Sequence, residues 1–468
     1  MPEHYSLSYI SHSTHIKTAV FCFNHFDTYY LVERLIDASN VKDVYIYTEI
    51  PNADIIFNRI GKNIVKGISK DEWPTFDLSK KGTCVFCLDL NDIDFYRRLG
   101  EHKINEVVVD FNWMGINTFP MWEALRDNSK KIAIAQLKSP ANYKVLKWEK
   151  RPSDIEVSII FPVYNVAKYL NECIDTVTAW KAKYVEFLFV NDGSPDNSAE
   201  IITEAAKKDP RIKLFTKTNG GCASARQYGL ERANGRYVGF IDPDDFTDPT
   251  MIQKLFSKGL EYSADISYCG YNEFYNDTKK SKPVEDLIYA PYFNGTEMRE
   301  HIDLLIPYMR IGIWRCLFLK ELLDKNNISF YTDLKRFDDL PFKVVTLQKA
   351  RYIVSVPEHL YYYRLDRRGQ DIKADDERLF VHFDIFKHLD EEWFNNTNKA
   401  QLNYYHVVKL DTHLWALNKL QKKFIRDYTL KAKADLLHLY NKKQLINAVK
   451  MCSTRDKVIK LKAILNAK

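Results

Sequence analysis

The sequence predicts an α/β protein made of two successive open sheets followed by a helical tail. Three observations predict it. Short apolar runs rich in Val, Ile, Phe and Tyr recur between helix-length segments over the first 270 residues, the pattern of strands buried under helices on both faces. A polar stretch, "SPANYKVLKWEKRPSD" (139–154), separates two groups of such runs. Beyond Asp375 the pattern is helical, without proline and with one late break near "CSTRD".

The first group is "KTAVFCF" (17–23), "DVYIYTE" (43–49), "TCVFCLD" (83–89), "EVVVDF" (106–111) and "KIAIAQ" (131–136). It reads as a Rossmann-like accessory domain over residues 1–140, with residues 141–154 as a linker. Its first strand runs into "NHFDTYYLVERL", without the G-x-G-x-x-G that lets backbone approach a dinucleotide pyrophosphate, so dehydrogenase chemistry is excluded there. A docking platform is the expected role. His25 and Asp27 are its one polar group after the first strand.

The second group is "VSIIFPV" (157–163), "VEFLFVN" (185–191), "IKLFT" (212–216), "YVGFID" (237–242) and "DISYCG" (265–270). Between the first two runs, Leu170, Cys173, Ile174 and Val177 share one helical face turned to the sheet. The polar "YNDTKKSKPVED" (275–286) reads as an excursion from this domain.

Composition bounds the class. A chain of 468 residues suggests two or three domains. With 46 % hydrophobic and 28 % charged residues it is that of a folded soluble protein. No window holds the roughly 20 apolar residues of a membrane-spanning helix, and "MPEHYSLSYISHSTHIK" lacks a secretory n- and h-region. The expected location is cytoplasmic, with peripheral attachment to the inner membrane face as an option. Cys84 and Cys87 have no second pair to complete a zinc site, so the eight cysteines read as reduced packing residues.

In open α/β sheets ligands gather at the carboxyl ends of strands, and four polar clusters fall there: "PVYN", "NDGSPD", "TNGGCASARQ" and "DPDDF". Asp242, Asp244 and Asp245 would repel one another without a cation or solvent, and hard divalent cations take such oxygens together with substrate phosphates. An Asp-rich turn capping the next helix is the other reading. Gly220 and Gly221 permit close backbone approach to a ligand, and Arg226 adds a permanent charge one turn later; taken alone, the segment is better explained by a plain glycine turn with a solvated Arg.

Taken in order, "SIIFPVYNVAKYLNECIDTV", "FLFVNDGSPDNSAEII", "NGGCASARQYGLERANGRYVGFIDPDDF", "IWRCLFLKELLDKNNISFYTDLKRFDDLPF" and "EHLYYYRLDRRGQDI" resemble glycosyltransferase family 2. The resemblance covers about residues 155–372. It implies a GT-A catalytic domain with a mixed, mostly parallel sheet between helices, which moves sugar from a nucleotide diphosphate donor with inversion. The donor is expected to be a UDP-sugar and the acceptor a saccharide or glycolipid of a bacterial surface polysaccharide. By the same resemblance Pro162, Tyr164, Asn165, Asp192, Gly220, Gly221, Arg226, Asp242 and Arg364 form the donor-nucleotide set. Asp244, with Asp242 and neighbouring Asp245, would hold Mn²⁺ or Mg²⁺. Asp339 falls at the position of the catalytic base, and Asp338 stands where the family usually has Glu; helix capping by Asp339 is the plain alternative. Arg367 and Arg368 are either phosphate ligands or a solvated strand end. A non-catalytic nucleotide-sugar-binding scaffold is the rival function.

The formal charge of +6 is unevenly spread. From Thr412 to the end, fourteen Lys and Arg face three Asp, a local +11 that leaves the rest of the chain negative. Leu430, Ala434, Leu437 and Tyr440 recur at helical spacing there, so residues 373–468 read either as basic amphipathic helices suited to an anionic membrane surface or as a bundle with a solvated basic face. No zinc, homeodomain or RNA-binding motif accompanies the charge, so nucleic acid is not expected as a partner.

Overall fold

The computed structural model describes residues 5–467 apart from 24–28, 38, 40, 49–64, 69–71, 89, 91–92, 112–117, 140–141, 285–296, 299–302, 304, 311, 367–372 and 394–397. His25, Asp27, Arg367 and Arg368 lie outside the described residues. The chain divides into two compact units, residues 1–154 with 260–263, and residues 155–259 with 264–468.

The first unit holds a sheet of seven strands in the order β3-β2-β1-β4-β5-β6-β7. These are β1 (Thr18–Cys22), β2 (Asp43–Tyr47), β3 (Val65–Gly67), β4 (Thr83–Leu88), β5 (Ile104–Phe111), β6 (Ser129–Ser139) and β7 (Asn142–Glu149). All neighbours run parallel except β6 and β7. β4, inside the sheet, is buried at every residue, as expected of a strand covered on both faces, and Phe21 stacks on Phe86 at 5.2 Å between ring centroids. Helices α1 (Tyr5–His12), α2 (Tyr29–Asp37), α3 (Ile93–Leu99) and α4 (Phe119–Leu125) belong to this unit. The expected linker is corrected here: residues 142–149 are an antiparallel edge strand. Leu146 and Trp148 turn inward while Lys147 and Glu149 face solvent, and that alternation dilutes the apolar signal of a strand with one wet face.

The second unit carries a ten-stranded sheet whose main order is β10-β9-β8-β11-β16-β13-β17-β12. Its strands are β8 (Val157–Val163), β9 (Val185–Asn191), β10 (Ile212–Thr216), β11 (Tyr237–Phe240), β12 (Phe246–Thr247), β13 (Ile266–Tyr275), β14 (Lys280–Val284), β15 (Glu297–Met298), β16 (Cys316–Leu319) and β17 (Ile353–Leu365). β8 to β11 are parallel, and β16 enters antiparallel between β11 and β13. Helix α5 (Ala167–Val177) buries Leu170, Cys173, Ile174 and Val177, the expected face. Each large apolar side chain so buried stabilises by about 1.5–3 kcal/mol. Further helices are α6 (Ser198–Lys208), α7 (Cys222–Leu230), α8 (Met251–Tyr262), α9 (Leu305–Tyr308), α10 (Lys320–Lys325) and α11 (Asp339–Lys349). The expected excursion after Tyr275 is instead a hairpin, with β14 paired antiparallel to β13.

The helical tail comprises α12 (Val381–Trp393), α13 (Lys399–Lys419), α14 (Lys422–Leu436), α15 (Lys442–Cys452) and α16 (Arg455–Leu465). Asn398 caps α13, and Asn441 with Gln444 forms a capping box on α15. Chain breaks occur at 420–421 and 437–441 as well as near "CSTRD". Ile385, Phe386, Leu389, Trp393, Tyr405 and Val408 from these helices share one apolar cluster with Phe240, Phe318 and Phe342 of the sheet domain. The expected apolar stripe is rotated: α14 buries Tyr428, Ala432 and Leu436, while Leu430 is 39 % exposed. Among the described residues no helix is long and apolar enough to cross a membrane. All eight cysteines are free.

Candidate active site

Three parallel strands deliver one half of the site. Val163 at the end of β8 and Thr216 at the end of β10 are both in register with Asn191 of β9, so "PVYN", "NDGSPD" and "TNGG" emerge side by side. Pro162 is tolerated in β8 because pairing with β11 ends at Ile160. Tyr164, the next aromatic, is 50 % exposed. Asn165 adopts a left-handed φ of 54°, which Asn accepts better than most residues, and its N–H donates to Ser194 Oγ at 3.0 Å.

Turn chemistry explains part of "NDGSPDNS". Asn191 Oδ1 accepts from the Ser194 N–H at 2.9 Å. Asp196 accepts from the Ala167 N–H at 2.9 Å and from the Ser198 N–H and hydroxyl at 3.2 and 2.6 Å, so one carboxylate begins both α5 and α6. Asp192 does something else. It is buried and accepts from the N–H groups of Gly220 (3.0 Å) and Gly221 (2.8 Å) and from Lys217 Nζ (2.7 Å). The carboxylate therefore anchors the glycine turn. Gly221 has φ 90° and ψ 171°, a region open essentially to glycine alone. A Cβ on Gly220 would lie 2.7 Å from Ser224 Oγ and 2.9 Å from Lys217 Nζ. Lys217 was not anticipated from the sequence; its signal was a lone base directly before "TNGG".

The acidic turn after β11 is fastened to β17. Asp245 is buried, accepting from the Tyr361 hydroxyl at 2.7 Å and the Arg364 N–H at 2.8 Å. Desolvation, then Asp244 and Asp242, pushes its pKa well above the ordinary carboxylate value. Asp245, expected as a metal neighbour, is thus held by β17. Among the described residues no three His, Cys, Asp or Glu side chains gather as a metal-ligand set. Asp242, whose side chain is 24 % exposed, and buried Asp244 fit the two-carboxylate pattern that substrate phosphates complete around Mg²⁺ or Mn²⁺.

Arg364, expected in the donor-nucleotide set, is engaged by its own chain. Its guanidinium is buried and donates to the Asp244 carbonyl (2.7 Å), Asn276 (2.9 Å) and Glu172 (2.6 Å), with the rings of Tyr169, Phe246 and Phe274 about it. It clamps the acidic turn through the Asp244 carbonyl. Tyr361, absent from the expected set, also lies 3.4 Å from the Asp242 N–H and stacks on Trp314 at 4.2 Å.

Arg226 joins the two halves of the cleft. From α7 it donates to Asp242 at 2.6 Å and to Asp338 at 2.8 Å, with its own side chain 5 % exposed. Residues 242 and 338, far apart in sequence, thus meet on one guanidinium. Asp338 precedes α11 without making a side-chain cap bond, and Phe337 before it has a left-handed φ of 55°. Asp339 opens α11. Desolvation, then the charge of Asp338, raises its pKa to about 6, and Arg226 opposes the rise.

These turns lie at the carboxyl edge of an open α/β sheet, where ligands of such folds gather. The family model for glycosyl transferase family 2 matches residues 158–318. EpsJ of Bacillus subtilis, an uncharacterized glycosyltransferase, is 34 % identical over 212 residues, 44 % of this chain and 60 % of EpsJ. The glycosyltransferase GlyA of Streptococcus pneumoniae is 40 % identical over 222 residues, 46 % of this chain and 31 % of GlyA. GlyG of the same organism is 30 % identical over 220 residues, 44 % of this chain and 70 % of GlyG. The crystal structure of residues 1–349 of S. aureus TarS in complex with UDP-GlcNAc superposes with a TM-score of 0.51 at 17 % identity, covering 66 % of this chain and 90 % of that one. The chain belongs to glycosyl transferase family 2. It spans less than two thirds of EpsJ and about a third of GlyA.

Proposed function

We propose that the protein is an inverting glycosyltransferase that moves a sugar from a UDP-sugar to a hydroxyl of a saccharide or lipid-linked acceptor in bacterial surface-polysaccharide synthesis. One observation carries the reading: the Arg226 bridge gathers Asp242 and Asp338 beside Asp339, whose pKa is raised to about 6. A base so tuned is mostly ionised at neutral pH and still basic enough to accept a proton. With Asp338 held by Arg226, Asp339 is the carboxylate that takes the acceptor proton. The acceptor oxygen then bonds to the anomeric carbon as the bond from that carbon to the phosphate oxygen breaks. Exposed Tyr164 offers a flat apolar face to the nucleobase. Asp192, through the glycine turn, shapes the wall beside it. A divalent cation held by Asp242 and Asp244 with the donor phosphates would offset charge on the departing UDP.

That TarS, a neighbour in fold, was crystallised with UDP-GlcNAc makes uridine donors the first to test. The basic outer surface of α14 to α16 supports a membrane-borne acceptor. A screen of nucleotide sugars for UDP release, followed by mass analysis of the product, tests the reading. Asp339→Asn is expected to keep UDP affinity in calorimetry while lowering kcat by about 100-fold or more; full turnover in that variant removes the assignment. Asp244→Ala is expected to abolish the Mn²⁺ dependence of donor binding, and an unchanged metal response in the same titration would refute it.

A further inference from the structure

The segment that carries the acid pair, residues 328–339, is gripped from two sides. On the sheet side, the Phe330 N–H donates to Gln227 Oε1 at 3.0 Å, next to Arg226 on α7. The Phe330 ring stacks on Phe342 at 4.3 Å. On the other side the partners come from the helical tail. The ring of Tyr331 stacks on His388 of α12 at 4.4 Å and 13°, and His388 Nε2 lies 2.8 Å from Asp333 Oδ2, which holds the Asp333 pKa below its ordinary value. Phe337 lies 5.1 Å from the His382 ring and 5.9 Å, edge to face, from Trp415 of α13. It packs against both apolar clusters of the unit, the one shared with the sheet and the one inside the helical tail. Its backbone is left-handed one residue before Asp338. A bulky residue holds that conformation only where its surroundings over-determine it, and here His382 and Trp415 supply those surroundings.

We propose that the helical tail is the positioning device for the catalytic base: His382 and Trp415 around Phe337, and His388 under Tyr331, fix the direction in which Asp338 and Asp339 enter the cleft. The tail residues touch neither donor nor acceptor and act through the 328–339 segment. This rests on the transferase reading above. A small misplacement of a reacting group lowers turnover strongly without altering ground-state binding, so the signature is a split between kcat and KM.

The test uses the full chain. Trp415→Ala is expected to lower kcat by about 10-fold or more, with donor KM and UDP affinity within about twofold of the parent. Trp415→Phe, which keeps an aromatic edge against Phe337, is expected to recover most of the rate. His388→Ala, at a partly exposed position at the other end of the segment, should show the same split to a smaller degree. Should Trp415→Ala fail to melt cooperatively, His388→Ala decides alone. A folded Trp415→Ala or His388→Ala with parental kcat overturns the proposal, and so does a parallel loss of UDP affinity. A parent chain that releases no nucleotide from any donor defeats the transferase reading instead, which keeps the two failures apart.

Discussion

Asp339 shows how one side chain can trade stability for reactivity. Its pKa of about 6 in the folded chain exceeds the unfolded value near 3.9. Between those pH values the folded state binds more protons than the unfolded state, so this group removes stability as pH rises from about 4 to 6, and the loss persists above. Asp339→Asn is therefore expected to melt higher than the parent at pH 7, with the difference closing below about pH 4; equal melting temperatures at pH 7 would contradict the raised pKa of this group. With Asp339 as the proposed base, kcat/KM is expected to climb through about pH 6 and level off above it, and a profile flat across about pH 5–7 would contradict that role. At this scale the sequence named the acids and arginines that the structure brings together, but not the partners of each. Arg226 and Arg364 both follow plausible phosphate patterns, yet Arg364 is enclosed by Glu172, Asn276 and the Asp244 carbonyl. No local pattern distinguishes a guanidinium aimed at ligand from one aimed at its own chain.

Among elements, the turns at the carboxyl edge concentrate the backbone constraints. Gly221 combines φ 90°, ψ 171° with an N–H given to Asp192 at 2.8 Å. Gly221→Ala is expected to destabilise the second unit by about 1–3 kcal/mol, read by chemical denaturation, and to weaken UDP binding; a neutral substitution would mean that the turn adapts. Phe337 sustains a comparable local cost through its packing. Element by element, the buried parallel strands were legible to the residue: 157–163 and 185–191 coincide with β8 and β9, because continuous burial leaves continuous apolar runs. The edge strand β10 was also read correctly at 212–216, but two antiparallel strands were not. "NYKVLKWE" and "KSKPV" are half-wet or exposed, and their polar residues make them look like connections. The stripe on α14 was misjudged because its buried face is partly polar, with Tyr428 between His382 and His413 at 3.1 Å from each and Asp435 beside the buried Lys409.

At the scale of the whole molecule, the tail is part of the fold of the second unit. Leu379 and Leu410 share a cluster with Tyr428, Ala432, Leu436, Leu445, Val449, Leu461 and Leu465. Lys409, fully buried, is held by Asp390 at 2.8 Å and Asp435 at 3.1 Å; loss of one partner of a buried pair costs about 3–5 kcal/mol. A chain ending at residue 411 is expected to lose the cooperative calorimetric transition of the second unit, and a sharp parental transition in that truncation would show the tail to be dispensable. The sequence marked the tail as helical and basic but offered no sign of this dependence, since contacts between distant apolar faces leave no local trace.

Phe337, wedged between two cores, also sets the grain at which such enzymes can be recombined. A graft cut at the family-model boundaries, residues 158–318, would replace Arg226 and Gln227 while leaving the 328–339 segment they hold, and its helical seat, in the host. An exchange is expected to work best with the second unit moved as one, and a chimera that keeps donor recognition yet turns over sluggishly is what a mismatched seat for that one ring would produce.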